Sequence, residues 1–105
     1  MQTFKTWGGK SFFDYAGSVK QGTEITYGRK PYKKFISAIQ YVKLLNHFRG
    51  RTVDIGTSRT DPPRNSVGEW LQLNVIGTAL ASYVGRILII ERYAEKAGGP
   101  KIRFL

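Results

Sequence analysis

The sequence predicts a single α+β domain built from N-terminal β-hairpins, three helices and a C-terminal β-ribbon. Three observations carry that expectation. The chain has 105 residues, a length that suits one compact domain. Hydrophobic residues make up 41% and aromatic residues 13%, richer in both than a disordered basic tail. Strand-forming, glycine-punctuated segments precede Ser37, and apolar residues at helical spacing follow it. No internal repeat, low-complexity segment or long linker divides the chain. It reads as one domain over 1–105, with a β-rich segment at 1–36 and a helical part at 37–105.

Each element has a local cause. Residues Thr3 to Trp7 and Ser11 to Tyr15 flank Gly8-Gly9-Lys10, the pattern of a hairpin or of two short strands. Ala16 to Gly22 reads as a polar loop. Glu24 to Tyr27 and Tyr32 to Ile36 read as a second hairpin around the turn Gly28-Arg29-Lys30-Pro31. Ser37 and Gln40 match a capping box, in which a hydroxyl and a side-chain amide each satisfy a free backbone group. Behind that cap, Ala38, Tyr41, Val42, Leu45 and Phe48 recur at helical spacing, and Arg49-Gly50 marks the end. Arg51 to Ile55 reads as a strand with Val53 and Ile55 on one face.

Thr57 to Asn65 is a loop, because Asp61-Pro62-Pro63 resists both helix and central strand. Ser66 and Glu69 repeat the capping-box pattern before a short helix from Val67 to about Leu73, with Val67, Trp70 and Leu71 inward. Val75-Ile76-Gly77 breaks it. Thr78 can cap a longer helix, Ala79 to Arg92, with Leu80, Tyr83, Val84, Ile87 and Leu88 inward and Ser82, Arg86 and Ile89 on other faces. Gly85 weakens that helix by about 1 kcal/mol relative to Ala, and either allows a close backbone approach or is drift. Tyr93 to Phe104 reads as a hairpin turning at Gly98-Gly99.

The charge is uneven. Lys and Arg number 17 against 7 Asp and Glu, a formal net charge of +10. Between Glu24 and Asp54 no acid occurs, while Arg29, Lys30, Lys33, Lys34, Lys43, Arg49 and Arg51 do. Arg59 and Arg64 lie in the proline loop with Asp61 as its one acid. Arg86, Arg92, Lys96, Lys101 and Arg103 lie toward the C-terminus, offset in part by Glu91 and Glu95. A surface kept for solubility normally mixes both signs, so this excess points to a polyanionic partner. Nucleic acid fits better than a membrane surface, because no long basic amphipathic helix with a broad apolar face occurs.

From Ser37 onward, the order of elements resembles a winged helix-turn-helix domain over about two-thirds of the chain. The residues that carry the resemblance are the tight connection Asn74-Val75-Ile76-Gly77, the helix opening Thr78-Ala79-Leu80-Ala81-Ser82-Tyr83, and the ribbon Tyr93 to Phe104. It implies that the Ala79–Arg92 helix lies in the major groove of duplex DNA. Arg86 would then read guanine through its planar fork, with Thr78, Ser82 and Asn74 as further contacts. Lys96, Lys101 and Arg103 would form a wing near phosphates. Arg29, Lys30, Lys33, Lys34, Arg49, Arg51, Arg59 and Arg64 would add attraction independent of base sequence. The N-terminal 36 residues are extra to this pattern.

Other chemistry finds little support. With no Cys and the single His47, there is no disulfide framework and no thiolate zinc site, and no metal or cofactor is expected. Gly9-Lys10-Ser11 resembles the end of a P-loop, but Phe4 stands where the first Gly belongs. His47, in a last helical turn beside basic residues, reads as a surface or dipole contact, and no nucleophile elbow accompanies it. Glu24 and Asp54 are the conceivable acids of a metal-dependent nuclease, although nothing in the sequence sets their distance. The start lacks a signal-peptide core and the longest aliphatic run is Ile87 to Ile90, so a cytoplasmic location without a membrane span is expected.

The expected function is therefore non-enzymatic nucleic-acid binding, with duplex DNA favoured and a homodimer compatible with it. One alternative is single-stranded nucleic acid or RNA, stacked on Trp7, Phe12, Phe13, Tyr15, Tyr27 and Tyr32 among the N-terminal cations. Another is a protein-interaction or oligomerisation module without nucleic acid. The Thr57–Asn65 loop is either an anion-binding loop or a plain turn with Arg59 paired to Asp61.

Overall fold

The computed structural model describes residues 3–28, 32–76 and 79–105. Arg29, Lys30 and Thr78, named above, lie outside them, as do Pro31 and Gly77. The fold is α+β, with three helices and two antiparallel sheets.

The first sheet takes its strands in chain order: β1 (Phe4–Lys5), β2 (Phe12–Ser18), β3 (Gly22–Tyr27) and β4 (Tyr32–Ser37). Its register aligns Phe4, Phe13, Tyr27 and Tyr32 in one row and Tyr15, Ile25 and Lys34 in the next. Since alternate residues face opposite ways, this face carries the aromatics into the core. The other face carries Lys5, Phe12, Asp14, Glu24, Lys33 and Phe35. The expected loop at Ala16–Gly22 is mostly strand: β2 runs to Ser18 and only Val19 to Gln21 turn. Two features set its path. Gly17 and Gly22 take φ of +91° and +98°, and a Cβ on Gly17 would overlap the Gly22 carbonyl. Val19 is buried, and its N–H donates to the Glu91 carboxylate at 2.9 Å.

Helix α1 (Ala38–Phe48) follows directly. Its capping box forms in full: Ser37 Oγ accepts from Gln40 N at 3.1 Å, and Ser37 N donates to Gln40 Oε1 at 2.9 Å. The helix buries Tyr41, Leu44 and Phe48. Val42, expected inward, is exposed, because Leu44 takes the inward position between Tyr41 and Phe48. Tyr41 and Thr23 share a buried 2.7 Å hydrogen bond, and the Phe48 and Phe104 rings stack at 5.1 Å, so α1 touches both sheets.

The second sheet has the order β5-β7-β6, from β5 (Thr52–Asp54), β6 (Ala94–Lys96) and β7 (Lys101–Phe104). Between β5 and β6 lie α2 (Val67–Asn74) and α3 (Ala81–Ile90). Only half of the second capping box forms. Ser66 Oγ accepts from Glu69 N, but the Glu69 carboxylate takes the N–H of Asn65, since Ser66 N already donates to the Pro63 carbonyl. The start of α2 is pressed on Gly56: Gly68 N donates to the Ile55 carbonyl at 2.9 Å, and a Cβ on Gly68 would overlap the Gly56 carbonyl.

Helix α3 is two residues shorter at each end than expected. Leu80 stands at its N-cap without a side-chain cap, and Arg92 turns left-handed at φ +68° beyond its end. Gly85 is a close approach: a Cβ there would come within 2.5 Å of Ile55 Cδ1 and 3.0 Å of Trp7 Cε3. Tyr83 packs on Phe13 and Tyr27 of the first sheet, and the Ser82 carbonyl accepts from Trp7 N. Helix α3 thus lies between the N-terminal segment and the second sheet.

Candidate nucleic-acid interface

That position decides what α3 can offer. Every residue from Ala81 to Ile90 is buried or half-buried. A helix that enters a major groove must present an exposed side chain row to base edges. On this helix Tyr83 packs on Phe13 and Tyr27 of the N-terminal sheet. Ser82 is half-buried, with its carbonyl engaged by Trp7. Arg86 is half-buried, and its Nε is buried without a hydrogen-bond partner. Ser82 and Arg86, expected to read the groove, are thus only partly exposed. Glu91, at the C-terminal end of α3, accepts from the Tyr15 hydroxyl at 2.8 Å and from Val19 N at 2.9 Å. The sequence pattern of α3 could not show this, because the covering residues lie in a segment more than 50 positions upstream.

The ribbon cations are exposed but internally engaged. Lys101 pairs with Asp54 at 3.0 Å and Arg103 with Glu95. Lys96 Nζ donates to the Trp7 carbonyl at 3.2 Å and sits 4.9 Å from the centre of the Trp7 ring. Lys33 pairs with Glu24 at 3.6 Å on the outer face of the first sheet. Such exposed pairs contribute little, about 0–1 kcal/mol, so a phosphate can replace the acid at small cost.

Lys34, Arg49, Arg51, Arg59 and Arg64 form no ion pair among the described residues. Arg49 donates to Asn46 Oδ1 at 2.9 Å, and Arg51 lies 5.7 Å from the Phe48 ring centre. Arg49 and Arg92 line a hollow of about 250 Å³ with Tyr93 and Leu105, beyond the C-terminal end of α3. Arg59 and Arg64 lie in the proline loop, both exposed. That loop is braced by its own bonds: Asp61 N donates to Ser58 Oγ, and Gln72 Nε2 donates to the Arg59 carbonyl. No Arg59–Asp61 pair forms among the described residues. Of the expected cations, Arg49 thus lies by the C-terminal end of α3, and Arg59 and Arg64 lie in the proline loop.

Aromatic surface reaches the exterior at Tyr32. Rings run in a chain from the core outward: Phe13 to Tyr83 at 5.3 Å, Tyr83 to Tyr27 at 4.8 Å and 25°, Tyr27 to Tyr32 at 5.8 Å. Phe13 is buried, Tyr83 and Tyr27 are half-buried, and Tyr32 is 58% exposed. Burial and the neighbouring Tyr27 push the Tyr83 hydroxyl above its usual value, and the positive charge of Arg59 pulls the other way. Lys34 follows Tyr32 on the same face of β4. Of the six aromatics expected to stack bases, Trp7 and Phe13 are core, Tyr15 and Tyr27 half-buried, and Phe12 and Tyr32 exposed.

Glu24 and Asp54 stand on different sheets, each paired with a lysine, and no group of three metal-ligating side chains occurs among the described residues. Gly9-Lys10-Ser11 sits in the β1–β2 turn, not ahead of a helix. His47 is exposed in the last turn of α1 with its ring against Phe48. No helix among the described residues is long and apolar enough to cross a membrane. Compared with protein-family models, curated proteins and solved structures, the chain matches none.

Proposed function

We propose that this chain is a basic, non-enzymatic nucleic-acid-binding protein. The observation that carries the reading is a set of exposed cations without acid partners among the described residues, Arg59 and Arg64 above all, on a chain of net charge +10. Cations held on a braced loop can approach a phosphate backbone and release its counterions. The order of α2, α3 and ribbon, which resembles a winged helix-turn-helix, supports the same class of partner. Contact through the loop, the β3–β4 hairpin and the ribbon fits the packing better than insertion of α3. DNA is the favoured partner.

A second reading has its own observation. Phe35 on the outer face of β4, and Ile39 and Val42 on α1, are all more than half exposed, as a protein-interaction or homodimer surface would be. Salt separates the two readings. Binding to short duplex and single-stranded oligonucleotides, followed by fluorescence anisotropy, is expected at about 50 mM salt and to weaken steeply by about 200 mM. Absence of binding to both at low salt overturns the nucleic-acid reading.

A further inference from the structure

We infer that Tyr32 is a stacking platform for an unpaired nucleobase, so that the chain prefers single-stranded nucleic acid to duplex. This rests on the nucleic-acid reading above and deepens it. The inference starts from the geometry of the ring chain. Tyr32 is its outermost member, and the Tyr27 ring beside it, itself stacked on Tyr83, is anchored in the core through Phe13. A ring braced in this way has little freedom left to lose on binding. Its exposed surface is the natural continuation of the chain, and a base presents a π-face of matching size.

Charge selects this ring over the other exposed aromatics. Phe12 and Phe35 lie on the outer face of the sheet, which also carries Asp14 and Glu24, and Glu24 stands directly opposite Phe35. Those carboxylates offset Lys5 and Lys33 on that face, so it carries no excess of positive charge among these residues. Tyr32 shares its face with Lys34, and the loop cation Arg59 acts on Tyr83 in the same ring chain. Asp61 is the one acid of that loop, and its backbone N–H is tied to Ser58. A stacking surface and a cation without an ion pair among the described residues, Lys34, thus share one face of β4. A duplex keeps its bases paired and stacked inside, out of reach of such a ring, whereas a single strand offers them freely. The chemistry recognised is base plus phosphate, common to single-stranded DNA and RNA.

The test uses the full chain with three fluorescent oligonucleotides, oligo-dT, oligo-U and a DNA duplex of equal length. Tyr32 is largely exposed, so its substitution leaves the core intact. Tyr32→Ala is expected to lower affinity for the preferred single strand by roughly 5- to 150-fold, the range for loss of one base–aromatic stack. Tyr32→Phe, which keeps the ring, is expected to stay within about twofold of the native chain, and duplex binding is expected to change little in either variant. Whichever of oligo-dT and oligo-U loses affinity names the strand. If Tyr32→Ala binds every oligonucleotide like the native chain while binding stays salt-sensitive, the stacking role is wrong and the charge-based reading stands. If the native chain binds none of the three at low salt, both fall.

Discussion

Tyr15, Tyr41 and Tyr83 each keep their proton more tightly in the folded chain than a free tyrosine does. For Tyr15 the causes are burial and then the Glu91 carboxylate that accepts its hydrogen bond; for Tyr41, burial first, opposed by the bond with Thr23. Tyr83 is raised by burial and by Tyr27. The unfolded chain releases these protons near pH 10, the ordinary tyrosine value. The neutral hydroxyls therefore contribute their full stability below about pH 10. As pH rises from there toward the raised folded values, the unfolded state holds fewer protons and that contribution is lost. Thermal unfolding across pH 8 to 12 should show a steady midpoint up to about 10 and a decline above it. A Tyr41→Phe variant should have a lower midpoint at neutral pH, because Thr23 loses its buried partner, at a cost of about 1–3 kcal/mol. Its alkaline decline should be shallower than that of the native chain.

At the scale of the element, two glycines and one arginine show where pattern reading succeeds and where it stops. The capping motif at Ser37, the strand with Val53 and Ile55 inward and the glycine turn of the ribbon are all local, and all were legible. Gly68 was not singled out, because the Gly56 carbonyl that presses on it lies across a loop. An Ala in a helix is worth about 1 kcal/mol over Gly, but the added Cβ at Gly68 has backbone in its way. Gly68→Ala should therefore destabilise the chain by about 2 kcal/mol in denaturant unfolding; a stabilised variant would show that α2 does not sit on Gly56. Arg86 illustrates the limit in another form. Helical spacing placed it on an outer face, yet it is half-buried in the fold. Arg86→Met keeps the stem and removes a buried, unpartnered Nε. It should change stability by less than about 1 kcal/mol and leave nucleic-acid affinity within about twofold. A large, sequence-dependent loss of affinity would restore α3 as a groove reader.

Across the whole molecule, what the sequence could not supply is mutual placement. The α+β class, the single chain of hairpins, helices and ribbon, and the charge excess follow from composition and local pattern. The ring chain from Phe13 through Tyr83 and Tyr27 to Tyr32 joins residues up to 70 positions apart, and only the fold brings them together. Tyr83 looked like a plain core residue because its spacing is that of the buried stripe. The cations depend on the fold in the same way: Arg49 and Arg92, 43 positions apart, line one hollow beyond the C-terminal end of α3. Charge on a protrusion matters only where it is free to meet phosphate, and that freedom is what the central claim rests on. The most direct measurement is the salt dependence of oligonucleotide affinity for the native chain and for the double variant Arg59→Ala, Arg64→Ala. Each phosphate contact contributes about 0.7 to the log–log slope on a single strand and about 0.9 on duplex. A steep native slope that falls by about 1.4 to 1.8 in the variant is the predicted result. An unchanged slope, or a native affinity that does not respond to salt, would contradict it.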